Sequence, residues 1–321
     1  MVKNNLKVGI AQVSPIWLNR DQTLKKIIKY TELAGNEGCR LVTFGEALLP
    51  GYPFWIERTN GAAFDSKIQK DLHAHYIDQS VDIDAGDLDS LCDVASKKHI
   101  AVYLGCIDKA ADRGRHSLYC TMIYIDPEKG IQSVHRKLIP TYEERLTWAH
   151  GDGHGLRVHK LGPFTVGGLN CWENWMPLAR ASLYAQGEDL HVALWPGGIH
   201  NTFEITRFIA KESRSYIISA SALMQPKDFP NTTPHLDKIL SNSTGFLANG
   251  GSCIAGPDGE WIVEPCIEKE KLITAEIDHQ CVRAERQNFD PVGHYFRPDV
   301  FELKLNRTRQ TAVKISESFN K

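Results

Sequence analysis

The chain has 321 residues, 42% hydrophobic and 24% charged, with 25 Gly, 15 Pro and 8 Cys. This is an ordinary globular composition; it excludes disordered, collagen-like and coiled-coil chains, and the length allows roughly 75% of the unfolded surface to be buried. A formal net charge of −2, from 37 Lys+Arg against 39 Asp+Glu, supplies no basic field for a nucleic acid or an anionic membrane.

Residues 8–13 form a short apolar run suited to a buried strand. Residues 23–34 follow with Leu24, Ile27, Ile28 and Leu33 near helical spacing and Lys25, Lys26 and Lys29 facing away, and Gly35 and Gly38 stop that helix. A second buried run, 41–44, ends at Gly45-Glu46. Residues 87–98 read as a helix, and 100–107, 118–125 and 131–135 as strands, the last two joined by the turn Asp126-Pro-Glu-Lys-Gly130. A strand over 164–169 ends at Asn170-Cys171, and Pro177 opens a helix running to 186, proline being suited to a first helical turn. A strand over 190–195, a helix over 202–214 and a strand over 216–222 come next, then strands over 252–255, 261–263 and 272–277. The pattern is one α/β domain whose sheets need helices on at least one face. Its expected bounds are 1–298, with a polar, less regular tail over 299–321 that is partly irregular or serves oligomer contacts.

The eight cysteines are scattered without a Cys-x-x-Cys pair and read mostly as small buried apolar residues. The N-terminus lacks a secretory apolar core, and the most apolar segment, 216–224, is too short to span a bilayer. A soluble, cytoplasmic protein is the expectation. His73-x-His75 and the histidines between His150 and His159 lack the paired spacing of a zinc site. Neither a dinucleotide nor a phosphate glycine loop occurs, and no Gly-x-Ser-x-Gly elbow is present.

Glu46, Lys137 and Cys171 stand at the ends of strand-like runs, where open α/β sheets carry their sites. Singly, each has an ordinary explanation: a solvated turn residue, a surface charge, a small buried side chain. Their surroundings change that reading. Phe44-Gly-Glu46-Ala-Leu-Leu-Pro-Gly-Tyr-Pro, His135-Arg-Lys137-Leu-Ile-Pro-Thr-Tyr-Glu-Glu144-Arg-Leu-Thr-Trp148 and Gly168-Leu-Asn-Cys171-Trp-Glu-Asn-Trp-Met-Pro-Leu178 resemble, in order, blocks of the nitrilase superfamily. Trp195-Pro-Gly-Gly198, Arg207-Phe-Ile-Ala-Lys-Glu-Ser-Arg-Ser215 and Asp290-Pro-Val-Gly-His-Tyr-Phe-Arg-Pro-Asp299 fit as well, so the resemblance spans about residues 5–305. Cys171-Trp172-Glu173, the Arg-Lys-Leu-x-Pro-Thr and Glu-Arg-Leu-x-Trp strings and Asp152 within Gly151-Asp-Gly153 are similar to the nitrilase branch. Asn174 stands where many bacterial members carry His.

The resemblance implies a four-layer α-β-β-α sandwich and a cofactor-free, metal-free nitrilase that converts an organic nitrile to a carboxylic acid and ammonia. It assigns Cys171 as nucleophile, Glu46 as general base and Lys137 as stabiliser of charge on the nitrile nitrogen. Glu144 matches a second family carboxylate that positions Lys137, whereas Glu143 reads as a solvated helix residue. A nearby cationic lysine is expected to lower the cysteine's pKa. Trp172, Tyr52, Phe54, Trp195 and Phe203 lie in segments similar to substrate-facing ones, although each could equally be core. Gly197 and Gly198 read as a tight turn near the site. The implied partner is a small-molecule nitrile, with no nucleic acid and no membrane, and the implied assembly is a homo-oligomer built from dimers that extend into spirals. A cyanide-degrading relative or an aliphatic amidase on the same Glu-Lys-Cys site is the alternative; a catalytically silent binding protein ranks below both.

Overall fold

The computed structural model describes residues 4–241 and 243–313. Its first half contains β1 (Asn5–Gln12), α1 (Arg20–Asn36), β2 (Leu41–Phe44), α2 (Trp55–Arg58), α3 (Lys67–Gln79), α4 (Asp89–Lys98), β3 (Ala101–Lys109), β4 (Leu118–Asp126) and β5 (Gly130–Arg136). Its second half contains β6 (His159–Leu161), β7 (Phe164–Asn170), α5 (Pro177–Tyr184), β8 (Leu190–Trp195), α6 (Ile199–Ser213), β9 (Tyr216–Ser221), β10 (Leu223–Met224) and α7 (Leu236–Leu240). β11 (Ala248–Ala255), β12 (Trp261–Ile267), β13 (Lys271–Asp278) and α8 (His279–Glu285) close the order.

Two sheets result. One has the order β13-β1-β2-β3-β4-β5, and the other β10-β11-β9-β8-β7-β6 with β12 beside β11. The centre of each is parallel, β1-β2-β3 in one and β7-β8-β9 in the other, which is why these strands are apolar on both faces. Inner faces meet through Val8, Ile10, Leu41 and Tyr103 of the first sheet and Val166, Val192, Leu194 and Ile218 of the second. The outer face of the first sheet, Val42, Val102 and Leu104, is covered by Ile27 and Ala34 of α1 and Leu91 and Ala95 of α4. The outer face of the second, Ala193, Trp195 and Ile217, is covered by Ile205, Ile209 and Ala210 of α6 and Tyr184 of α5. The layers are therefore α-β-β-α, as the family resemblance implies.

Local signals account for the helix ends. The Asn19 side chain accepts the Gln22 N–H at 3.1 Å and starts α1 three residues earlier than the apolar spacing suggests. Pro177 occupies the first turn of α5. Four helices, α2, α3, α7 and α8, have no counterpart in the sequence reading, because each buries only one or two side chains (Trp55 and Ile56; Leu72 and Tyr76; Ile239; Val282) and offers almost no apolar stripe.

Residues 299–313 form no helix or strand, and 314–321 of the expected tail lie outside the described residues. The described part is nevertheless tied down: Arg309 donates to Asp152 at 3.0 Å and to the Val134 carbonyl at 2.9 Å, and the Gln310 N–H reaches Asp152 at 2.9 Å. Asp152, in its Gly-Asp-Gly setting, is thus the buried anchor of the tail. No helix among the described residues is long and apolar enough to cross a membrane.

Close backbone approach places the chain after β2. A Cβ on Gly105 would stand 2.2 Å from the Gly45 carbonyl oxygen and 2.6 Å from Glu46 Cα. Both obstacles are main chain, so neither can swing away. Gly105→Ala is expected to lose about 1–3 kcal/mol of stability through overpacking, measured as a lower midpoint in chemical denaturation; an unchanged midpoint would show that this backbone can yield.

Candidate active site

Glu46 follows β2, Lys137 follows β5 and Cys171 follows β7, so strand ends from both sheets converge. Glu144 comes from a single 3-10 turn, Tyr142–Leu146, whose Thr141 N–H it accepts at 2.6 Å. Each segment is fixed through its backbone: the Glu46 N–H donates to the Trp195 carbonyl at 3.1 Å, and the Lys137 N–H to the Cys120 carbonyl at 2.7 Å. All four side chains are buried.

Lys137 Nζ lies 2.8 Å from Glu46 Oε1 and 2.7 Å from Glu144 Oε2. One oxygen of each carboxylate and Cys171 Sγ all lie within 4.8 Å of one another. Among the described residues this trio is close enough to hold an ion, but Lys137 Nζ already bonds both carboxylates and supplies the local cation. Tyr52 donates its hydroxyl to Glu144 Oε1 at 3.0 Å, and Cys120 Sγ lies 3.3 Å from Glu46 Oε1. Glu46 Oε2 has no protein partner among the described residues although it is buried. That oxygen is the free acceptor of the site.

Burial dominates the electrostatics. It raises the Glu46 carboxyl to about 7, against the opposing pull of Lys137 and with added repulsion from Glu144. Burial would favour a neutral amine at Lys137, but the Glu46 and Glu144 carboxylates beside it hold its pKa well above the usual value. Cys171 departs from the sequence expectation. Lys137 does favour its thiolate, yet burial and the Glu46 carboxylate outweigh it, and the thiol's pKa is well above the ordinary value. Cys171 therefore rests as a protonated thiol beside a carboxylate able to take its proton.

Cys171 has φ +48°, an uncommon left-handed conformation for a side-chain-bearing residue, and begins a 3-10 turn, Cys171–Trp175. Glu173, fully buried in that turn, accepts from Asn170 N–H at 2.9 Å, Leu138 N–H at 2.7 Å and His135 Nε2 at 3.0 Å. Burial works against its charge, but His135 and the two backbone donors hold the carboxyl below its usual range. Glu173 thereby joins the cysteine turn to the lysine segment. The sequence reading did not single it out, although Asn170 followed three residues later by Glu173 is a capping-box spacing that could have found it.

The aromatic expectations separate. Tyr52 lines a cavity of about 20 Å³ with Pro53, Ile56, Glu57, Glu143 and Glu144, and of the five aromatic residues it is the one in that lining. Phe54 packs behind it, ring centroids 5.0 Å apart. The Trp195 indole is wholly buried under α6 and donates to Ser219, leaving its carbonyl to hold Glu46. Trp172 and Phe203 are half-exposed, 56% and 48%, and Phe203 packs on Trp261. Glu143 lies on the same 3-10 turn as Glu144, half-buried in the cavity lining rather than solvated. Gly197 and Gly198 both have positive φ, 145° and 97°, at the entry to α6.

The carbon-nitrogen hydrolase family model matches residues 7–287. A "Nitrilase 2" from an unknown prokaryotic organism is 35% identical over 95% of this chain and 94% of its own length. The aliphatic nitrilase of Rhodococcus rhodochrous is 31% identical over 98% of this chain and 86% of its own length. In three dimensions, a carbon-nitrogen hydrolase from Helicobacter pylori superposes with a TM-score of 0.67 at 17% identity, over 92% of this chain and 96% of that one. The chain belongs to the carbon-nitrogen hydrolase family.

Proposed function

We propose that this protein is a nitrilase that hydrolyses an organic nitrile to the carboxylic acid and ammonia, with Glu46, Lys137, Glu144 and Cys171 as its catalytic residues. The observation that carries this reading is the Lys137 ammonium held between two buried carboxylates beside a thiol. Relatives named nitrilases, similar along nearly the whole chain, support a nitrile over an amide.

A nitrile carbon is a weak electrophile, and a thiol is a strong nucleophile once its proton has somewhere to go. As Cys171 Sγ bonds to that carbon, its proton passes to Glu46, and one π pair of the C≡N bond moves to nitrogen. Lys137 faces the developing negative charge, a preorganised donor in a dry site. Nitrogen takes up the proton and a covalent thioimidate results. Glu46 then draws a proton from water, whose oxygen adds to the same carbon to give a tetrahedral intermediate. The proton held by Glu46 and the hydroxyl proton of that intermediate both pass to nitrogen, the C–N bond breaks, and ammonia leaves a thioester; a second water then adds, the C–S bond breaks, and the acid is released with the thiol restored. Breaking the C–S bond at the first tetrahedral stage releases an amide instead. Glu144, bonded to both Lys137 and Tyr52, keeps the ammonium aimed.

Residues 1–298 form the catalytic domain in this reading, and the tail serves contacts between copies. A homo-oligomer is supported by an exposed apolar face on and beside α5 and α6, carrying Trp175, Leu178, Phe203 and Phe208 at 46–69% exposure. Its dimers would be the unit of any longer spiral.

Ammonia release from an aliphatic dinitrile, benzonitrile, phenylacetonitrile, cyanide and the matching amides tests the reading, with Cys171→Ala run beside the wild type. Acid and ammonia from at least one organic nitrile, abolished in the folded variant, is the expected result. Turnover of amides alone would favour an amidase, of cyanide alone a cyanide-degrading enzyme, and silence throughout a binding protein.

The raised Glu46 carboxyl adds a pH test. Only ionised Glu46 accepts the thiol proton, so kcat/KM should rise with pH through an acid limb near 7. Stability moves the other way. With a folded pKa above its unfolded value near 4.5, Glu46 contributes stability that is full below 4.5 and lost as pH rises through about 7. A limb near 4.5 in the kcat/KM profile would overturn the assignment of Glu46 as a buried base.

A further inference from the structure

Behind the cysteine turn lies a second buried polar chain that the reaction above does not use. Asn174 Nδ2 donates to the Cys171 carbonyl at 2.8 Å and the Leu169 carbonyl at 3.2 Å. With both amide hydrogens committed to carbonyls, Asn174 Oδ1 is an acceptor, and His191 Nε2 stands 2.8 Å from it. That contact requires the hydrogen on Nε2. His191 Nδ1 in turn lies 2.9 Å from Glu188 Oε1, and one further proton sits between them. Whether carried by the imidazole or the carboxyl, this proton leaves the pair electrically neutral, as suits two side chains with no exposed surface. The Asn174 carbonyl is taken as well, by Arg180 at 2.7 Å, and Arg180 is braced by Glu212 of α6.

The surrounding fold makes room for this chain. A Cβ on Gly167 of β7 would come 2.3 Å from Glu188 Oε1, so the carboxylate occupies space that only glycine leaves open. Glu188 faces His191 within the pair, Asp189 beside it in the chain, and Arg286 from beyond α8, which donates to the Glu188 carbonyl. The chain ends on two carbonyls, those of Cys171 and Leu169, on either side of the bend into the cysteine turn. Cys171 holds φ +48°, and a left-handed conformation persists only where its surroundings enforce it.

We propose that Asn174, locked by the buried Glu188–His191 pair, is the positioning residue that clamps the Cys171 carbonyl and so holds the thiol in reach of Glu46. The proposal rests on Cys171 being the nucleophile. It gives Asn174 a role in which a neutral amide supplies two hydrogen bonds to carbonyls and accepts one from a histidine. An aspartate lacks the donors, and an alanine removes one hydrogen bond from each of the Cys171 and Leu169 carbonyls and takes away the acceptor of the His191 N–H.

The test compares Asn174→Ala, His191→Gln and His191→Asn in the full-length chain. The Gln amide nitrogen falls where His191 Nε2 stood and can still donate to Asn174 Oδ1; the shorter Asn cannot reach. Hydrolysis and thermal unfolding are measured for each, together with the pH dependence of Cys171 alkylation by iodoacetamide, read at that residue by mass spectrometry. Asn174→Ala is expected to lower kcat about 10–100-fold with KM within about twofold, the size of a positioning defect. His191→Asn should follow it, and His191→Gln should recover most of the loss. Wild-type alkylation should show the Glu46 limb near 7, and Asn174→Ala should move it to higher pH, toward direct ionisation of the buried thiol.

A folded Asn174→Ala with kcat within twofold of wild type and an unmoved alkylation limb would overturn the proposal. Equal behaviour of the Gln and Asn variants at position 191 would do the same. Alkylation needs no nitrile, so if no substrate is turned over, the nitrilase reading fails while the clamp is still decided.

Discussion

An ammonium buried between two carboxylates is the constraint on which the rest of this molecule depends. Lys137 has almost no exposed surface, and each ion of the Glu46–Lys137–Glu144 set would be strongly unfavourable there alone. Together they are stable only while Nζ stays 2.7–2.8 Å from both oxygens. Removing Lys137 leaves two carboxylates facing each other in the dry interior. The three carriers come from separate segments, so the ion set also serves as a lock between β2, β5 and the 3-10 turn after β5. Tyr52 extends it to the loop before α2.

The sandwich satisfies this demand with backbone. Glu46 is seated on the Trp195 carbonyl of the opposite sheet and Lys137 on the Cys120 carbonyl of its own. Gly105, Gly151 and Gly155 let main chains approach where a Cβ would be 2.1–2.2 Å from its nearest atom. The cysteine arrives from the second sheet, and its turn is held from two directions: Glu173 ties it to the lysine segment, and Asn174 faces the chain behind β7 and β8. A fold with one sheet could supply the ion set. The second sheet is needed to bring the thiol.

Much of this was legible from the sequence. Buried strands of the parallel centres declare themselves as short apolar runs, and Glu46, Lys137 and Cys171 stand just beyond three strand-like runs. What stayed hidden has physical causes. α3 rests on two buried side chains in thirteen residues, too sparse a stripe to distinguish from a polar loop. Glu188 and His191 look like solvated residues at a strand entry, and only the pairing of Gly167 with His191 across β7 and β8 shows that the polar chain is internal. The state of the thiol was hidden for a different reason. The sign of the Lys137 effect is readable from proximity in the fold, but burial exceeds it, and burial is a property of the assembled core.

That balance bears on how such a site can be both stable and reactive. A thiolate at rest beside Glu46 and Glu144 would place a third negative charge against a single ammonium. The protonated thiol avoids this, and it is also the less oxidisable form. Glu46 has been lifted to about 7, so near neutrality it is divided between base and acid. In the proposed reaction it takes the Cys171 proton when a bound electrophile draws electrons from sulfur, then returns it to nitrogen within the same turnover. The step to thioimidate moves a proton and a bond without leaving a lone charge in the interior. Lys137 keeps its proton throughout, because losing it would expose two carboxylates to each other. In the proposed reaction, reactivity is therefore conditional on the substrate, and the buried site keeps the thiol protonated until an electrophile arrives.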